Sequence, residues 1–146
     1  MANYQCAVRT NYFHVKDSAL FRQFMARVYG SESSVELWEK KDAGGQIMFG
    51  FGAYGGIGGL RNAAEDMSET VSETAYDEFI CGLQQHVRED DAVIILESGQ
   101  EKLRYLVGSA EIVTCTSYDH LDILELARHH AAAMLDDPGW QTELHY

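Results

Sequence analysis

Apolar side chains recur at two periods along this chain, and the switches between them predict its elements. From Tyr4 to Val15 β-branched and aromatic residues dominate, which predicts a strand. Leu20, Phe21, Phe24, Met25 and Val28 then repeat at helical spacing behind Asp17 or Ser18 as a cap, and Gly30 supplies the stop. Val35 and Leu37 alternate with Glu36 and Trp38 as a second strand. After the turn residues Asp42-Ala43-Gly44-Gly45, a third strand runs from Gln46 to Phe51. Six glycines between Gly50 and Gly59 break the pattern and predict a loop or a bulged strand end. Tyr76, Phe79, Ile80, Leu83 and Val87 mark a second helix, capped near Ser72 or Thr74. Ala92 to Leu96 is an apolar run of strand length, Ser98-Gly99-Gln100 a turn, and Leu103, Tyr105 and Val107 a strand continuing toward Thr114. A third helix is expected from Asp119 to Leu135, burying Ile123, Leu124, Ala127, Ala131 and Met134, and Asp136-Asp137-Pro138-Gly139 ends it.

The predicted order is β-α-β-β-α-β-β-α, and its first six elements have the order of a ferredoxin-like split β-α-β unit. Two tight hairpins make the expected sheet mostly antiparallel, of about five strands, with helices on one face. We find no internal repeat, linker or low-complexity tail, so residues 1–146 read as a single α+β domain.

Charge changes this picture more than overall composition does. Hydrophobic residues at 46% and charged residues at 23% are ordinary for a globular domain of 146 residues. However, 23 Asp and Glu against 11 Lys and Arg give a net charge of −12, which argues against direct binding of nucleic acid backbone. Cys6, Cys81 and Cys115 are scattered and odd in number, which fits a reduced compartment rather than a disulfide framework. The opening residues have no basic or apolar leader pattern, and no run is long and apolar enough for a membrane span. The expectation is a cytoplasmic protein that does not bind membranes.

Candidate catalytic patterns are weak. Gly50-Phe51-Gly52-Ala53-Tyr54-Gly55 spells G-x-G-x-x-G, but the preceding strand belongs to a hairpin rather than a parallel β-α-β unit, so no phosphate cradle or cofactor is expected. Glu125 and His129 share a helical face, with His120 or Asp122 nearby, yet neither H-E-x-x-H nor paired E-x-x-H occurs, and no metal is expected. Cys81 and His86 lie five residues apart on one helix and diverge by about 140°, so they form no dyad by local geometry. Asp90-Asp91 and Asp136-Asp137 read as solvated acids at element ends. Lys102 and Arg104 read as strand residues pairing with Glu97 or Glu111.

The most unusual stretch is acidic. Residues 62–87 hold Glu65, Asp66, Glu69, Glu73, Asp77 and Glu78 with no Lys or Arg. Glu65, Glu69, Glu73 and Asp77 are spaced by four, so a helix reaching back that far would carry a ridge with a carboxylate every ~6 Å. Like charges at that spacing cost about 0.2–0.5 kcal/mol per pair, a repulsion that a basic partner would relieve.

Two stretches, Asn11-Tyr12-Phe13-His14-Val15-Lys16-Asp17 and Glu101-Lys102-Leu103-Arg104-Tyr105-Leu106-Val107-Gly108, resemble a family of small acidic uncharacterised bacterial proteins, some of them carried on mobile elements. Asp91 to Glu97 extends that likeness. In size, acidity and setting the family is similar in type to anti-CRISPR and anti-restriction inhibitors. The resemblance implies no catalytic residue. It points to a non-enzymatic inhibitor binding the basic nucleic-acid-binding surface of a host defence complex, a nucleic-acid mimic. The carboxylates from Glu65 to Glu78 would provide attraction, and Phe51, Tyr54 and Ile57 apolar contact. The alternatives are a small α+β enzyme or ligand-binding domain whose pocket assembles residues distant in sequence, and a homo-oligomeric structural subunit.

Overall fold

Residues 4–61 and 75–143 are described by the structure, a computed structural model. Alternation in the first segment yields strand β1 (Gln5–Thr10), with Val8 and Thr10 facing the core. The Asp17 side chain then accepts the Leu20 amide and caps α1 (Ser18–Met25), which buries Phe21, Phe24 and Met25. There follow β2 (Val28–Gly30), β3 (Glu36–Lys41), β4 (Ile47–Tyr54), β5 (Ile57–Leu60), α2 (Ala75–His86), β6 (Val93–Glu101), β7 (Tyr105–Val113), β8 (Tyr118–Asp122) and α3 (Ile123–Met134). No helix among the described residues is long and apolar enough to cross a membrane.

Six strands form one antiparallel sheet in the order β3-β4-β1-β6-β7-β8, and β2 pairs with β5 in a separate two-stranded ribbon. β1 and β3 run in the same direction with β4 inserted antiparallel between them, a split β-α-β arrangement. The fold is therefore α+β and mostly antiparallel, but the expected count of about five strands is corrected to six plus two. The element order also gains β2, β5 and β8. Helices α1 and α2 cover one face, here called inner, where Phe13, Phe21, Phe49, Phe51, Phe79 and Leu83 are fully buried. Phe13 meets Phe21 and Phe51 edge-on, at 5.7 and 6.1 Å between ring centroids, the arrangement that aromatic quadrupoles favour.

The glycine-rich segment is ordered strand rather than a loop. Gly50 and Gly52 lie inside β4 on the outer face, under the rings of Tyr12 and Trp38. The reversal falls at Gly55 and Gly56, whose φ of +93° and +126° excludes most side chains, and the chain returns as β5. The turn expected at Ser98-Gly99-Gln100 is mid-strand in β6, with the Tyr4 ring against Gly99. Residues 102–104 make the turn instead, with Lys102 left-handed at φ +52°. Arg104 stacks over Tyr105 rather than continuing a strand with Lys102.

The Asn11–Asp17 stretch is built for the fold. Asn11 bridges to β6 through the Ala92 carbonyl and the Ile94 amide, while Phe13 and Val15 enter the core. His14 clasps three loops: Nδ1 meets Asp91 Oδ2 and Nε2 meets Asp42 Oδ2, each at 2.8 Å, and Asp91 Oδ2 also accepts the His14 amide. Hydrogen bonds to Asp42 and then to Asp91 raise the His14 pKa above its ordinary 6.5, because an imidazolium donates to both. Asp42 is correspondingly lowered, first by His14 and then by the Gln46 amide. Such a raised group stabilises the fold fully below its unfolded pKa and loses that contribution as pH rises through the folded one. The lowered carboxylates contribute above their unfolded pKa and lose it as pH falls through the folded one. Melts of wild type and His14→Gln at several pH values should therefore show the widest gap in midpoint near about pH 5, closing at alkaline pH. A gap independent of pH would mean that the imidazole acts by shape alone.

Candidate functional site

Inward-facing positions on β6, β7 and β8 change character along the strands. Val93, Ile95 and Val113 are apolar and buried, but the next inward positions are Glu97, Ser109, Glu111 and His120. Registration sets Glu97 opposite Ser109, and Glu111 between Ile95 and His120. Tyr76, in the first turn of α2, closes one side, and Ser31 with the Gly55-Gly56 turn closes another. Together these residues line a cleft of about 290 Å³ with Val8 and Ile95 as its apolar floor.

The two carboxylates are held by neutral donors. Glu111 Oε1 accepts the Tyr76 hydroxyl and Oε2 accepts that of Tyr118 at 2.7 Å, while His120 Nδ1 stands 3.9 Å from Oε2. Glu97 Oε2 accepts the Tyr4 hydroxyl at 2.8 Å. Burial, reinforced by Glu111, drives the Tyr76 phenol far above its usual range, and the same causes push Tyr118 up to about 12, helped by Asp77. Tyr4 is raised by burial and then by Glu97, and the Cys6 thiol by burial, Glu97 and Glu32. Each of these groups stays protonated because ionising it would add negative charge beside existing carboxylates. Among the described residues no Lys or Arg makes an ion pair with Glu97 or Glu111. This geometry can receive a cation.

The residues proposed from sequence are scattered by the fold. Glu65, Asp66, Glu69 and Glu73 lie outside the described residues. Asp77 and Glu78 are exposed in the first turn of α2, next to Tyr76. Ile57 lines the cleft, whereas Tyr54 is 71% exposed on the opposite face of the sheet. Phe51 is corrected from a contact residue to a core residue: it points inward from β4 and has no exposed surface.

The other candidates separate too. Cys81 is exposed while His86 packs against Phe24 at 4.7 Å, its pKa lowered by burial and then by Lys16. Glu125 pairs with Arg128 at 2.8 Å, and the same guanidinium reaches His129 Nε2 at 3.3 Å. Asp90 pairs with Arg88, and Asp91 with His14. No group of three or more His, Cys, Asp or Glu among the described residues could hold a metal ion. Glu97, Glu111 and His120 were the residues sequence reasoning missed as a site. Their signal was the break in apolar alternation, where Val93 and Ile95 are followed two positions on by Glu97, and Glu111 precedes Val113.

Comparison with protein-family models, with curated proteins and with solved structures finds no match to this chain.

Proposed function

We propose that this chain is a non-enzymatic interaction protein that captures a cationic group on a basic partner. More specifically, it acts as an inhibitor occupying the basic nucleic-acid-binding surface of a defence complex. The observation that carries this reading is the company of Glu97 and Glu111: two partly buried carboxylates held by phenols, with no Lys or Arg pairing to them among the described residues. In such a site an arriving guanidinium or ammonium gains Coulomb energy that a fully solvated carboxylate would not give, and among the described residues no Lys or Arg has to be displaced first. Asp77 follows Tyr76 and acts electrostatically on Tyr118, and the sequence before it carries Glu65, Asp66, Glu69 and Glu73, further carboxylates that could stand in for phosphates. A second reading, a small-amine-binding domain, is favoured by a cleft assembled from residues as distant as Val8 and His120.

Capture from a lysate of the source cell tests both. Immobilised wild type is expected to retain a dominant basic nucleic-acid-binding protein at low salt and release it as salt screens the contact. A Glu97→Gln, Glu111→Gln bait should retain much less. Equal retention by both baits would remove the cleft from the interaction. Saturable stabilisation by arginine amide or spermidine, with no protein retained, would select the second reading.

A further inference from the structure

Helix α3 keeps its apolar stripe, but the described residues do not cover it. Ile123, Ala127 and Met134 share one helical face, yet Ile123 is 58% and Met134 76% exposed, and Ala132 is the buried residue of the helix. Burial of Ile123, Ala127 and Met134 was expected from sequence and is corrected: α3 follows directly on β8, packs chiefly against β7 and β8, and has no second layer above it among the described residues. Its first turn lies on the outer face, where Ile123 sits against Gly108, whose added Cβ would come within 2.9 Å of Ile123 Cγ2. The same face is apolar across the sheet. Leu96, Ala110 and Leu121 stand in one row across β6, β7 and β8. Beyond them a groove of about 540 Å³, lined by Ala7, Arg9, Trp38, Gly52, Tyr54 and Leu96, crosses β3, β4, β1 and β6.

We infer that this face is an interface between two copies of the chain, with α3 of each copy seated in the Trp38–Tyr54–Leu96 groove of the other. Three observations select a second copy. The first is area: Tyr54, Leu96, Leu106, Leu121, Ile123 and Met134 together leave roughly 700 Å² of apolar surface, at about 200 Å² per large side chain, close to the ~800 Å² each partner contributes to a standard interface. The second is charge. The chain carries −12, so copies repel over most of their surfaces, but the sheet's outer face balances Arg9 and Lys40 against Glu36 and Asp119. A basic partner is drawn elsewhere, to the carboxylates on the opposite face. The third is shape: strand order puts the groove toward one end of the sheet and the α3 ridge at the other. A two-fold axis in the plane of the interface, along β6, brings each ridge onto the other copy's groove and closes the contact.

Sedimentation or light-scattering mass, measured on the full chain at about 5–200 µM, tests this at concentrations spanning a micromolar dissociation constant. Wild type is expected to reach twice the chain mass. Leu96→Lys and Met134→Glu alter exposed side chains, so each should keep the wild-type melting midpoint within a few degrees and run as a single chain. Mixing the two should restore the double mass, because one contact then joins Lys to Glu and the other is wild type. Ile123→Glu replaces Met134→Glu if that variant fails to fold. Single-chain mass for wild type throughout, variants that still pair, or a mixture that does not recover would each overturn the inference.

Discussion

Phe51→Ala is expected to cost about 3–5 kcal/mol of folding stability, the range for emptying a buried aromatic site. The ring is wholly buried and packs edge-on against Phe13 at 6.1 Å and Phe79 at 5.9 Å. It thereby links the segment after β1 to α2 through β4, and its removal leaves a void that three elements must share. Against the ~5–15 kcal/mol that holds a domain of this kind together, that loss leaves a marginal protein. Urea unfolding should show a large fall in midpoint at an unchanged slope. Leu103→Ser, in the 102–104 turn and 83% exposed, should stay within about 0.5 kcal/mol. A cost below about 1 kcal/mol for Phe51→Ala would mean that the ring is not packed as described.

Gly52→Val should be nearly as damaging, for a different reason. A Cβ at this position would lie 2.7 Å from the Val8 carbonyl oxygen and 2.9 Å from the Trp38 ring. The Trp38 side chain can turn away. The Val8 carbonyl belongs to the central strand, which pairs on both sides, so it cannot retreat without disturbing the ladders to β4 and β6. Overpacking of this kind costs about 1–3 kcal/mol, with the upper end expected here. The same geometry bears on the G-x-G-x-x-G spelling: its first two glycines make room for Tyr12 and Trp38. ATP, GTP and NAD are accordingly expected to give no saturable thermal shift with wild type. A shift that grows with nucleotide concentration would reopen the phosphate reading.

Periodicity made the helices legible but not their surroundings. Phe21, Phe24 and Met25 in α1, and Phe79, Ile80 and Leu83 in α2, are buried as their spacing predicts, because those helices lie on the sheet. In α3 the same kind of spacing left the stripe uncovered, since a pattern says which face is apolar and not what covers it. Start signals misled where two acids competed. Asp119 resembles a cap, but Asp122 makes the capping bonds to the Leu124 and Glu125 amides, so Tyr118–Asp122 is free to extend the sheet as β8. The β2–β5 ribbon was illegible because three residues are too few for alternation and Ile57-Gly58-Gly59-Leu60 reads as a break. The cleft was hidden for a topological reason. Glu97 and Glu111 come together only through the β6–β7 register, and Tyr76 meets them only once α2 has crossed the sheet.

The place of β1 at the centre of the sheet has a consequence for how the chain acquires its shape. Its partners are β4, which ends at Tyr54, and β6, which begins at Val93. At the ~5–20 residues per second of synthesis, β1 can pair along one side several seconds before the strand for its other side exists. During that interval the unpaired amides and carbonyls of β1 form an open edge beside an incomplete aromatic core. Contacts this distant in sequence also slow refolding of the finished chain. Mutations that weaken β6 should therefore reduce the yield of folded protein from synthesis more than their effect on equilibrium stability implies, because they lengthen the time that edge stays open.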